Sequence, residues 1–544
     1  MTDSLDPRTP VLVGVGQATD PVTAEDYHRW SAADLAGEAS RRAVQDAGLD
    51  PSAAAAIDTI AVIRQFEIST PGAVAPLGKS DNIARSIAAR IGADPRRAVL
   101  EVVGGQGPQH LVTEFSGTIA DGDAEVVLLA GSEAISTARA LAGRDDAPDF
   151  SETAGGQLED RGMQVDDLHV PYEVRHGLLG APPEYAVFEN ARRRRLGLSR
   201  EDYATAMGEL FAPFTRVAAS NPYAAAPTER TAEELVTVTE RNRLIADPYP
   251  RFLVARDQVN QGAAVLLTSV GKARELGIPQ EKWVFLHGYS DLTERTVTER
   301  ADLSVSPASV LSARTAIERA GISADDLAFL DLYSCFPIPV FNICDALGIA
   351  PDDPRGLTLT GGLPFFGGAG NNYSMHAIAE MVDRLRKNPG TFGFVGANGG
   401  WMTKYSSGVY STTPVEYTDW DDRPLQEALD AVPAPDIVEH YSGPATVESY
   451  TVTTDLNRDW IGIVVARTPD NARILAVSEP RNPGGPGDPG DPGDAASDEV
   501  IRLLSSDAVF GATLVIEQDG DRNIIRGIAR DTAGTTGTTE EAQA

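Results

Sequence analysis

A glycine-rich turn is the first feature of this sequence that could support chemistry. The stretch "VVGGQGPQHLV", residues 102–112, leads from a β-branched run into a predicted helix, with Gly104, Gly105 and Gln106 in the turn. Many α/β enzymes carry a nucleophile at such a strand-to-helix turn, because the turn also points backbone N–H groups at an oxyanion. This turn has no Ser or Cys. It therefore predicts backbone polarisation of a carbonyl group without a nucleophilic side chain.

Two histidines and two cysteines are further candidates for acid–base or nucleophilic chemistry. His110 and His376 each follow a glycine-rich turn by a few residues. Each either acts as a base near a substrate or lies on a helix without a chemical role, since the sequence shows no partner for it. Cys335 and Cys344 are predicted to be buried structural thiols. They form neither a disulfide framework nor a metal-ligand pattern, so we expect no metal site and a reducing compartment.

The charge balance restricts the classes of partner. The 544 residues include 46 basic and 79 acidic side chains, which gives a net charge of −33. An acidic surface repels nucleic acid and anionic lipid, so neither is an expected partner. The sequence shows no signal peptide, and no run of about 18 apolar residues that could span a membrane. We therefore expect a cytoplasmic protein.

One dense basic run stands out in this acidic chain. The segment "RRRR" covers residues 192–195, and arginine pairs well with phosphate groups. Arg192 and Arg193 are therefore candidates for binding a phosphorylated ligand. The alternative is a solvated helix face on which Glu189 and Glu201 balance the positive charges.

The elements that must position these residues follow an α/β pattern. Apolar strands alternate with helices from Pro10 onwards, which predicts a largely parallel sheet. The segments "RAVQDAGLDPS" and "GGQGPQHLVTE" return in the same order as "TAIERAGISAD" and "GGAGNNYSMHA". Two α/β halves, each with a glycine turn before a helix, indicate an internal duplication.

Changes in the sequence pattern along the chain also predict the domain boundaries. The segment from 145 to 250 interrupts the α/β pattern, and short alternating strands after residue 433 predict an all-β domain of barrel or OB type. Residues 482–494, "NPGGPGDPGDPGD", predict a flexible loop. The predicted units are an N-terminal half (1–144), an inserted loop domain (145–250), a returning strand and helix (251–282), a C-terminal half (283–420), the β domain (433–530) and a disordered tail (531–544).

Three motifs resemble those of the thiolase superfamily. They are "GDAEVVLLAGSEAIS" at 122–136, "QGAAVLLTSVGKARELGI" from residue 261 and "TGGLPFFGGAGNN" at 360–372. The sequence is most similar to thiolase-like proteins that are often labelled acetyl-CoA acetyltransferases and carry an extra C-terminal domain. The resemblance implies a duplicated fold with αβαβα layers and a role in lipid metabolism. It also implies coenzyme A or an acyl-CoA as the ligand, with no other cofactor, and a homo-oligomer or a partner enzyme.

The catalytic residues of that family are missing from this chain. Counted along the motifs, the nucleophilic cysteine falls on Gly105, the histidine of the Gly-His-Pro turn on Gly368 and the second cysteine near Gly396. Claisen condensation needs a thiolate to hold the acyl group and a base to form the enolate. Because glycine supplies neither, we expect no classical thiolase activity.

Residues around these positions remain candidates for binding coenzyme A. The glycines of "GANGGWMTK" either let the pantetheine arm approach closely or form a tight packing turn. The resemblance implies that the binding residues are Gly104, Gln106, His110, Arg192, Arg193, Asn398 and Gly399.

Tyr333 and Tyr373 are the candidate catalytic residues. A branch of the superfamily cleaves β-hydroxyacyl-CoA thioesters as an aldolase, and it uses tyrosines instead of cysteine. Its Tyr-Asp-x-Phe motif resembles "YSCF" here, although Ser334 replaces the acidic residue. Three hypotheses follow: an acyl-CoA-binding member of the acyltransferase family, a retro-aldolase using the two tyrosines as acid and base, or a non-catalytic binding or scaffold subunit. The structural alternative is that both tyrosines only pack in the core.

Overall fold

A computed structural model of the protein describes residues 5–455, 457, 459–481 and 495–529. The predicted flexible loop at 482–494 and the predicted disordered tail at 531–544 lie outside the described residues.

The first sheet is built from the N-terminal part of the chain. Its spatial order is β1 (Pro10–Thr19), β8 (Asn260–Ser269), β4 (Val126–Ala134), β2 (Thr59–Val62), β3 (Arg97–Leu100) and β5 (Glu159–Asp160). β2 is parallel to β3 and β4, and β5 is parallel to β3, whereas β8 is antiparallel to β1 and β4. Almost every residue of β1, β4 and β8 is buried, because both faces of the sheet are covered.

The second sheet comes from the later part of the chain. Its spatial order is β10 (Leu327–Leu332), β11 (Phe392–Gly399), β12 (Lys404–Ser411) and β9 (Phe285–Thr293). β10 and β11 are parallel, and β12 is antiparallel to both β11 and β9.

Helices separate and flank the two sheets. α3 (Gly107–Asp121) and α12 (Tyr373–Lys387) pack against each other between the sheets and contact strands of both. α1 (Ala32–Asp46) and α2 (Ile83–Ile91) cover the outer face of the first sheet. α10 (Pro307–Arg319) and α11 (Pro337–Leu347) cover the outer face of the second sheet. The resulting layer order is αβαβα, which confirms the predicted duplicated α/β fold.

The helix ends follow from local sequence signals. Ser31 and Asp34 form a capping box at the start of α1, in which each side chain satisfies a backbone N–H of the other. α3 ends at Gly122, which adopts φ 85°, a left-handed conformation that favours glycine.

The segment between β5 and β8 is largely helical. α6 (Ala181–Leu196) packs against β13 (Gly443–Thr454) of the C-terminal domain, and α7 (Arg200–Ser220) packs against α8 (Ala232–Val236). This segment also contains α5 (Pro171–Arg175) and the short strands β6 (Leu244–Ala246) and β7 (Tyr249–Pro250). Elsewhere in the chain, α4 (Ile135–Leu141), α9 (Val270–Glu275) and α13 (Arg423–Asp430) also lie outside the five layers.

The C-terminal strands close into a barrel. The strands are β13 (Gly443–Thr454), β14 (Trp460–Arg467), β15 (Arg473–Ser478), β16 (Thr513–Asp519) and β17 (Arg522–Ile528). They pair in the order β13-β14-β15-β17-β16-β13, with β15 parallel to β17. This order matches the five-stranded Greek-key barrel of the OB fold, as predicted. The barrel also carries α14 (Ala495–Leu504) between β15 and β16, which strand alternation did not reveal.

Two further features concern surfaces. β5 pairs with Val99 and Leu100 and so covers the second half of β3 at that edge of the first sheet. Among the described helices, none combines the length and the apolar character that crossing a bilayer requires.

Candidate functional site

A cavity of about 620 Å³ lies where the two glycine-rich turns meet. Gly104 and Gly105 come from the turn before α3, whereas Gly368 and Gly370 come from the turn before α12. α3 and α12 are neighbours in the central layer, so the duplicated fold places their preceding turns side by side. The cavity thus unites two motifs that are far apart in the sequence.

Tyr333 occupies the space that a side chain at position 105 would need. A Cβ atom added at Gly105 would lie 2.2 Å from the hydroxyl oxygen of Tyr333 and 2.6 Å from the backbone oxygen of Asn398. Real Cβ atoms do not approach other heavy atoms this closely. The site therefore has no space for a nucleophilic side chain at this position of the first glycine turn.

The Tyr333 phenol lines the cavity as a neutral group. Burial raises the pKa of this phenol well above its usual value, and the neighbouring Cys335 adds to the shift. At neutral pH, Tyr333 is therefore a hydrogen-bond donor and a poor base. Its ring meets that of Tyr373 edge-on, with 5.4 Å between the ring centroids.

Tyr373, predicted as the second catalytic residue, does not line this cavity. It is fully buried, and its hydroxyl lies 2.5 Å from the Thr360 hydroxyl and 3.4 Å from an Asp331 carboxylate oxygen. Tyr373 is the first residue of α12 and directs its hydroxyl towards β10, which carries Asp331. The structure therefore brings the two rings together but leaves only Tyr333 in the cavity wall.

Asn398 and Cys335 form the wall beside Tyr333. The Asn398 amide donates to the hydroxyl of Tyr185 at 2.9 Å, while its own oxygen is buried without a partner among the described residues. Burial raises the pKa of the Cys335 thiol to about 12, so this cysteine is protonated at neutral pH. Sequence reasoning missed Tyr185, because a single aromatic residue within a helix gives no signal that distinguishes a site from the core.

Asn371 connects the walls of the cavity and was also missed. Its amide nitrogen donates to the Arg64 carbonyl at 2.8 Å and to the Ser69 hydroxyl at 3.1 Å. Its amide oxygen accepts from the N–H of Gly104 at 3.1 Å. No described residue accepts a hydrogen bond from the N–H of Gly105. Within the first turn, Asn371 thus engages one backbone donor and leaves the next one available.

Gln106 packs over two glycines of the cavity wall. A Cβ atom at Gly104 or at Gly399 would lie 2.0 Å from the Gln106 side-chain oxygen. Both glycines line the cavity, whereas Gln106 faces a separate cleft on the other side of the turn. Of the predicted binding residues, Gly104, Asn398 and Gly399 therefore lie in the cavity, and Gln106 supports them from behind.

The other two glycines at predicted family positions differ in environment. Gly368 lines the cavity, and a Cβ atom added there would lie 3.3 Å from the Arg256 backbone oxygen, its nearest neighbour. Gly396 lies within β11, where it pairs with Leu332, and does not line the cavity. The cavity is bordered instead by Asn398 and the residues that follow it, because β11 runs on beyond Gly396 before it reaches the turn.

His110, a predicted ligand-binding residue, lies outside the cavity in the cleft that Gln106 also lines. Its Nδ1 lies 2.8 Å from an Asp291 carboxylate oxygen, and its Nε2 lies 3.6 Å from one of Glu114. Burial alone would lower the pKa of His110, but the carboxylates, Asp291 above all, raise it to about 9. His110 is therefore an ion-pair partner, cationic at neutral pH.

Replacing Asp291 with asparagine is expected to lower the pKa of His110 from about 9 towards its ordinary value of 6.5. A raised histidine pKa contributes stability that is complete below 6.5 and disappears as pH rises through 9. The wild-type protein should therefore lose its stability advantage over Asp291→Asn across that interval. An NMR titration of the imidazole, with melting curves at each pH, measures both effects. A wild-type His110 that titrates near 6.5 would contradict the prediction.

Glu101, His110 and Glu114 place one ligand atom each within 4.8 Å of one another, as a metal site requires. Arg161, however, donates to Glu101 and to Glu114, in each case at 2.6 Å. The guanidinium group already neutralises these carboxylates, so the cluster is an internal ion-pair network.

His376 is a core residue. It is fully buried, its Nδ1 lies 2.7 Å from the Gln17 side-chain oxygen, and burial lowers its pKa to about 3. It lies on α12 and does not line the cavity. This position agrees with the interpretation of His376 as a helix residue without a chemical role.

Arg192 and Arg193, which were predicted to bind phosphate, both have partners within the protein. Arg192 forms a two-pronged ion pair with Asp345, at 2.7 and 2.9 Å, and its guanidinium lies 3.9 Å from the centroid of the Phe341 ring. Arg193 pairs with Asp507 at 3.0 Å and donates to the Tyr450 hydroxyl at 3.1 Å. Both arginines are buried, so the alternative of a solvated helix face is wrong for them. They join α6 to α11 and to the barrel.

A second cleft, of about 490 Å³, shares part of its wall with the cavity. Val254, Ala255 and Asp257 line both. The cleft is also lined by the arginines Arg230, Arg241, Arg251 and Arg256. None of these four guanidinium groups forms an ion pair or a hydrogen bond with another residue in the described ranges.

The fold and its additional domain both match known proteins. A family model described as "Thiolase-like protein type 1 additional C-terminal domain" matches residues 424–521. Two solved structures share the fold at low identity and cover 74% of this chain. They are an Ltp2-ChsH2(DUF35) aldolase (19% identity, 98% of that chain, TM-score 0.54) and human mitochondrial 3-ketoacyl-CoA thiolase in complex with CoA (17%, 98%, 0.52). No curated protein sequence matches the chain.

A much more similar structure covers nearly the whole chain. It is the crystal structure of a monomeric SCP2-thiolase-like protein type 1 from Mycobacterium smegmatis, which is 48% identical. The match spans 96% of this chain and 99% of that chain, with a TM-score of 0.80. The extent of this match, together with the five-layer fold and the C-terminal barrel, shows that the chain belongs to the family of SCP2-thiolase-like proteins of type 1.

Proposed function

We propose that this protein binds a CoA thioester, with the thioester in the glycine-lined cavity and the CoA phosphates in the arginine cleft. The observation that carries the proposal is the shared wall of the two spaces, formed by Val254, Ala255 and Asp257. A ligand with an anionic end and a neutral acyl end matches this arrangement. The CoA-bound human thiolase makes CoA a reasonable ligand to test in this fold.

The arginine cleft has the properties of an anion site. Arg256 is partly buried, and its Nε has no hydrogen-bond partner in the described chain. Burial, followed by repulsion from Arg251, lowers the pKa of the Arg256 guanidinium. Unpaired neighbouring cations in a protein of net charge −33 favour binding of an anion.

The cavity can polarise a thioester but lacks a nucleophile. Gly105, whose N–H has no acceptor among the described residues, and Tyr333, whose phenol is neutral, line the same cavity, and we propose that a carbonyl oxygen accepts from both. Cys335 is protonated, and position 105 has no room for a side chain. We therefore propose that the protein holds and polarises its ligand without Claisen condensation.

The retro-aldolase hypothesis has less support. It needs one group to remove a hydroxyl proton and a second to protonate the enolate. Tyr373 lies outside the cavity, and the raised pKa keeps the Tyr333 phenol protonated, so it is not available to remove a proton. Among the three hypotheses, CoA-thioester binding therefore agrees best with the geometry.

Calorimetric titration with CoA tests this function. The wild-type protein should bind CoA saturably, and the double variant Arg251→Gln/Arg256→Gln should bind at least about tenfold more weakly, because each lost charge-assisted bond weakens binding appreciably. The affinity of the wild type should also fall as salt rises. Arg243→Gln is the matched control, since Arg243 is exposed and does not line the cleft.

Two results would reject the proposal. One is the absence of CoA binding by the wild type, which would favour the scaffold hypothesis. The other is CoA binding that the double variant leaves unchanged, which would place the phosphates elsewhere.

A further inference from the structure

We infer that a separate cavity, of about 410 Å³, binds a small organic carboxylate at the N-terminus of α1. This α1 cavity lies beside the segment 65–70, and Ser31, Ala32 and Ala33 at the start of α1 line it. The ligand is a molecule of its own and needs no passage to the glycine-lined cavity. The inference therefore goes beyond CoA binding and does not depend on it.

The first turn of α1 offers backbone donors to the cavity. The Ser31 hydroxyl accepts from the N–H of Asp34, whereas the N–H groups of Ala32 and Ala33 have no acceptor among the described residues. Ala33 is buried, so water has little access to its N–H. Free N–H groups at the start of a 15-residue helix carry the positive end of the helix dipole and favour an anion.

Gln65 supplies a second donor that is independent of the helix. It lines the same cavity, is 4% exposed, and its Nε2 has no partner in the described part of the chain. A buried amide donor without an acceptor is costly, and a ligand oxygen would satisfy it. Backbone and side-chain donors from two separate segments therefore line one cavity.

Other polar groups in the wall already have partners. Arg64 pairs with Asp160, and Asp81 accepts from the N–H groups of Ala154 and Gly155. Arg64 is therefore not free to bind an anion. The donors left for a ligand are the backbone of α1 and the amide of Gln65.

The two remaining charged groups of the wall, Glu67 and Lys79, restrict the charge of the ligand. Burial raises the pKa of the Glu67 carboxyl, and the positive charge of Lys79 opposes this shift. Glu67 and Asp81 would repel a dianion such as phosphate, so the wall favours a single negative charge. An ammonium group on the same ligand would pair with Glu67. A simple carboxylic acid and an amino acid thus share the chemistry that the cavity recognises.

The rest of the wall suits a short hydrocarbon body. Leu77, Phe150, Leu158 and Met163 contribute apolar surface. A volume of about 410 Å³ lies within the range of small-molecule sites. Because polar and apolar groups line the cavity together, the ligand that fits is amphipathic, with its carboxylate at α1 and its body against these side chains.

Calorimetric titration with four ligands of the same six-carbon body tests the inference. Hexanoate carries the carboxylate, norleucine adds an ammonium group, and 1-hexanol and hexylamine lack the carboxylate. At least one of the two carboxylates should bind saturably, and 1-hexanol and hexylamine should bind at least about tenfold more weakly, because they cannot accept from the free donors with a negative charge. Tighter binding of norleucine than of hexanoate would assign its ammonium group to Glu67.

Gln65→Leu tests the side-chain donor. It removes the amide but keeps the approximate size of the side chain, and it should weaken binding of the preferred carboxylate by about tenfold. Gln45→Leu is the matched control, because Gln45 lies on α1 but is exposed and does not line the cavity. Its affinity should equal that of the wild type.

Ala32→Pro tests the backbone donors, because it removes one N–H from the first turn. Proline is favoured at the first position of a helix, and Ser31, at φ −72° and ψ 169°, already has the extended conformation required before proline. The variant should therefore fold and bind the carboxylate more weakly. Ala32→Ser keeps the N–H and should bind as the wild type does.

Three results would overturn the inference. One is that neither carboxylate binds at millimolar concentration, and another is that 1-hexanol binds as tightly as hexanoate and norleucine. The third is carboxylate binding that both Gln65→Leu and Ala32→Pro leave unchanged, which would place the carboxylate elsewhere. If one of these variants fails to fold, the other and the ligand series in wild type decide. CoA takes no part in these titrations, so their outcome leaves the proposed function untouched.

Discussion

Restoring a cysteine at position 105 is expected to destabilise the protein and not to create a thiolase. The added Cβ would lie 2.2 Å from the Tyr333 hydroxyl oxygen and 2.6 Å from the Asn398 backbone oxygen. A side chain can rotate away from such a contact, but a backbone oxygen within β11 cannot move without disturbing the second sheet. We expect Gly105→Cys to lower the free energy of unfolding by about 3 kcal/mol, at the upper end of overpacking effects.

The measurement is chemical unfolding of Gly105→Cys beside a matched glycine substitution. Gly368→Ala is the control, since Gly368 lines the same cavity but its added Cβ would have no neighbour closer than 3.3 Å. It should cost less than about 1 kcal/mol. Gly105→Ala combined with Tyr333→Phe should recover only part of the loss, because the contact with Asn398 remains.

Activity measurements complete this test. Gly105→Cys should show no thiolysis of a ketoacyl-CoA, because Gly368 supplies no base and the carboxylate of Asp257, which also lines the cavity, pairs with Arg139 at 2.6 Å. A Gly105→Cys protein of wild-type stability, or one that forms an acyl-enzyme and turns over, would show that position 105 is not sterically closed.

Replacing Arg192 with methionine is expected to destabilise the fold while the CoA affinity of the folded protein stays the same. Arg192 is 6% exposed, pairs with Asp345 and donates to the Tyr203 hydroxyl at 3.1 Å. Loss of one partner of a buried pair costs about 3–5 kcal/mol. We expect the lower end of this range, because Arg195 also contacts Asp345, at 2.8 Å.

Arg195→Met is the matched control on the same helix. Arg195 is exposed and shares Asp345 with Arg192, so its removal should cost no more than about 1 kcal/mol. If Arg192→Met kept wild-type stability but lost affinity for CoA, the arginine would bind phosphate after all. Chemical unfolding and CoA titration of both variants distinguish these outcomes.

The ion pair between Arg192 and Asp345 also predicts that the stability of the protein depends on pH. Burial alone would raise the pKa of Asp345, but the bonds from Arg192 and Arg195 lower it below its ordinary value. A lowered carboxyl pKa contributes stability above the unfolded-state value, about 3.9 for aspartate, which disappears as pH falls through the folded-state pKa. The stability difference between wild type and Arg192→Met should therefore be constant near neutral pH and shrink below about pH 4.

Much of the fold could be predicted from local patterns. Alternating apolar strands and helices indicated the α/β layers, the repeated glycine turns indicated the duplication, and short alternating strands indicated the C-terminal barrel. These features depend on periodicity and turn chemistry, which neighbouring residues determine. α14 escaped prediction, because it interrupts a series of short strands between β15 and β16.

Only part of the site could be predicted in this way. The sequence identified Gly104, Gly105, Tyr333, Asn398 and Gly399, which all line the cavity. It could not show which direction a side chain takes once two distant segments meet. Tyr373 follows the second glycine turn as expected, yet its hydroxyl bonds to Thr360 in the core.

The clustering of basic residues along the sequence was the least reliable guide to the arginines that are available for a ligand. In the densest basic run, Arg192 forms an ion pair within the protein. The unpaired arginines of the cleft are instead spread along the chain from Arg230 to Arg256. The availability of an arginine for a ligand depends on which carboxylates the fold brings near it, and these lie far away in sequence.

By itself, the sequence determined that this chain forms layered α/β halves with a C-terminal β domain and that the family's nucleophile is absent. Both follow from residue identity and short-range spacing. Only the tertiary structure decided that the Tyr333 phenol fills the space beside Gly105, that Asn371 joins the cavity walls, and that Gln65 retains an unused donor. The physical reason is that steric exclusion, burial and hydrogen-bond pairing are contacts between distant segments, and they exist only once the chain has folded.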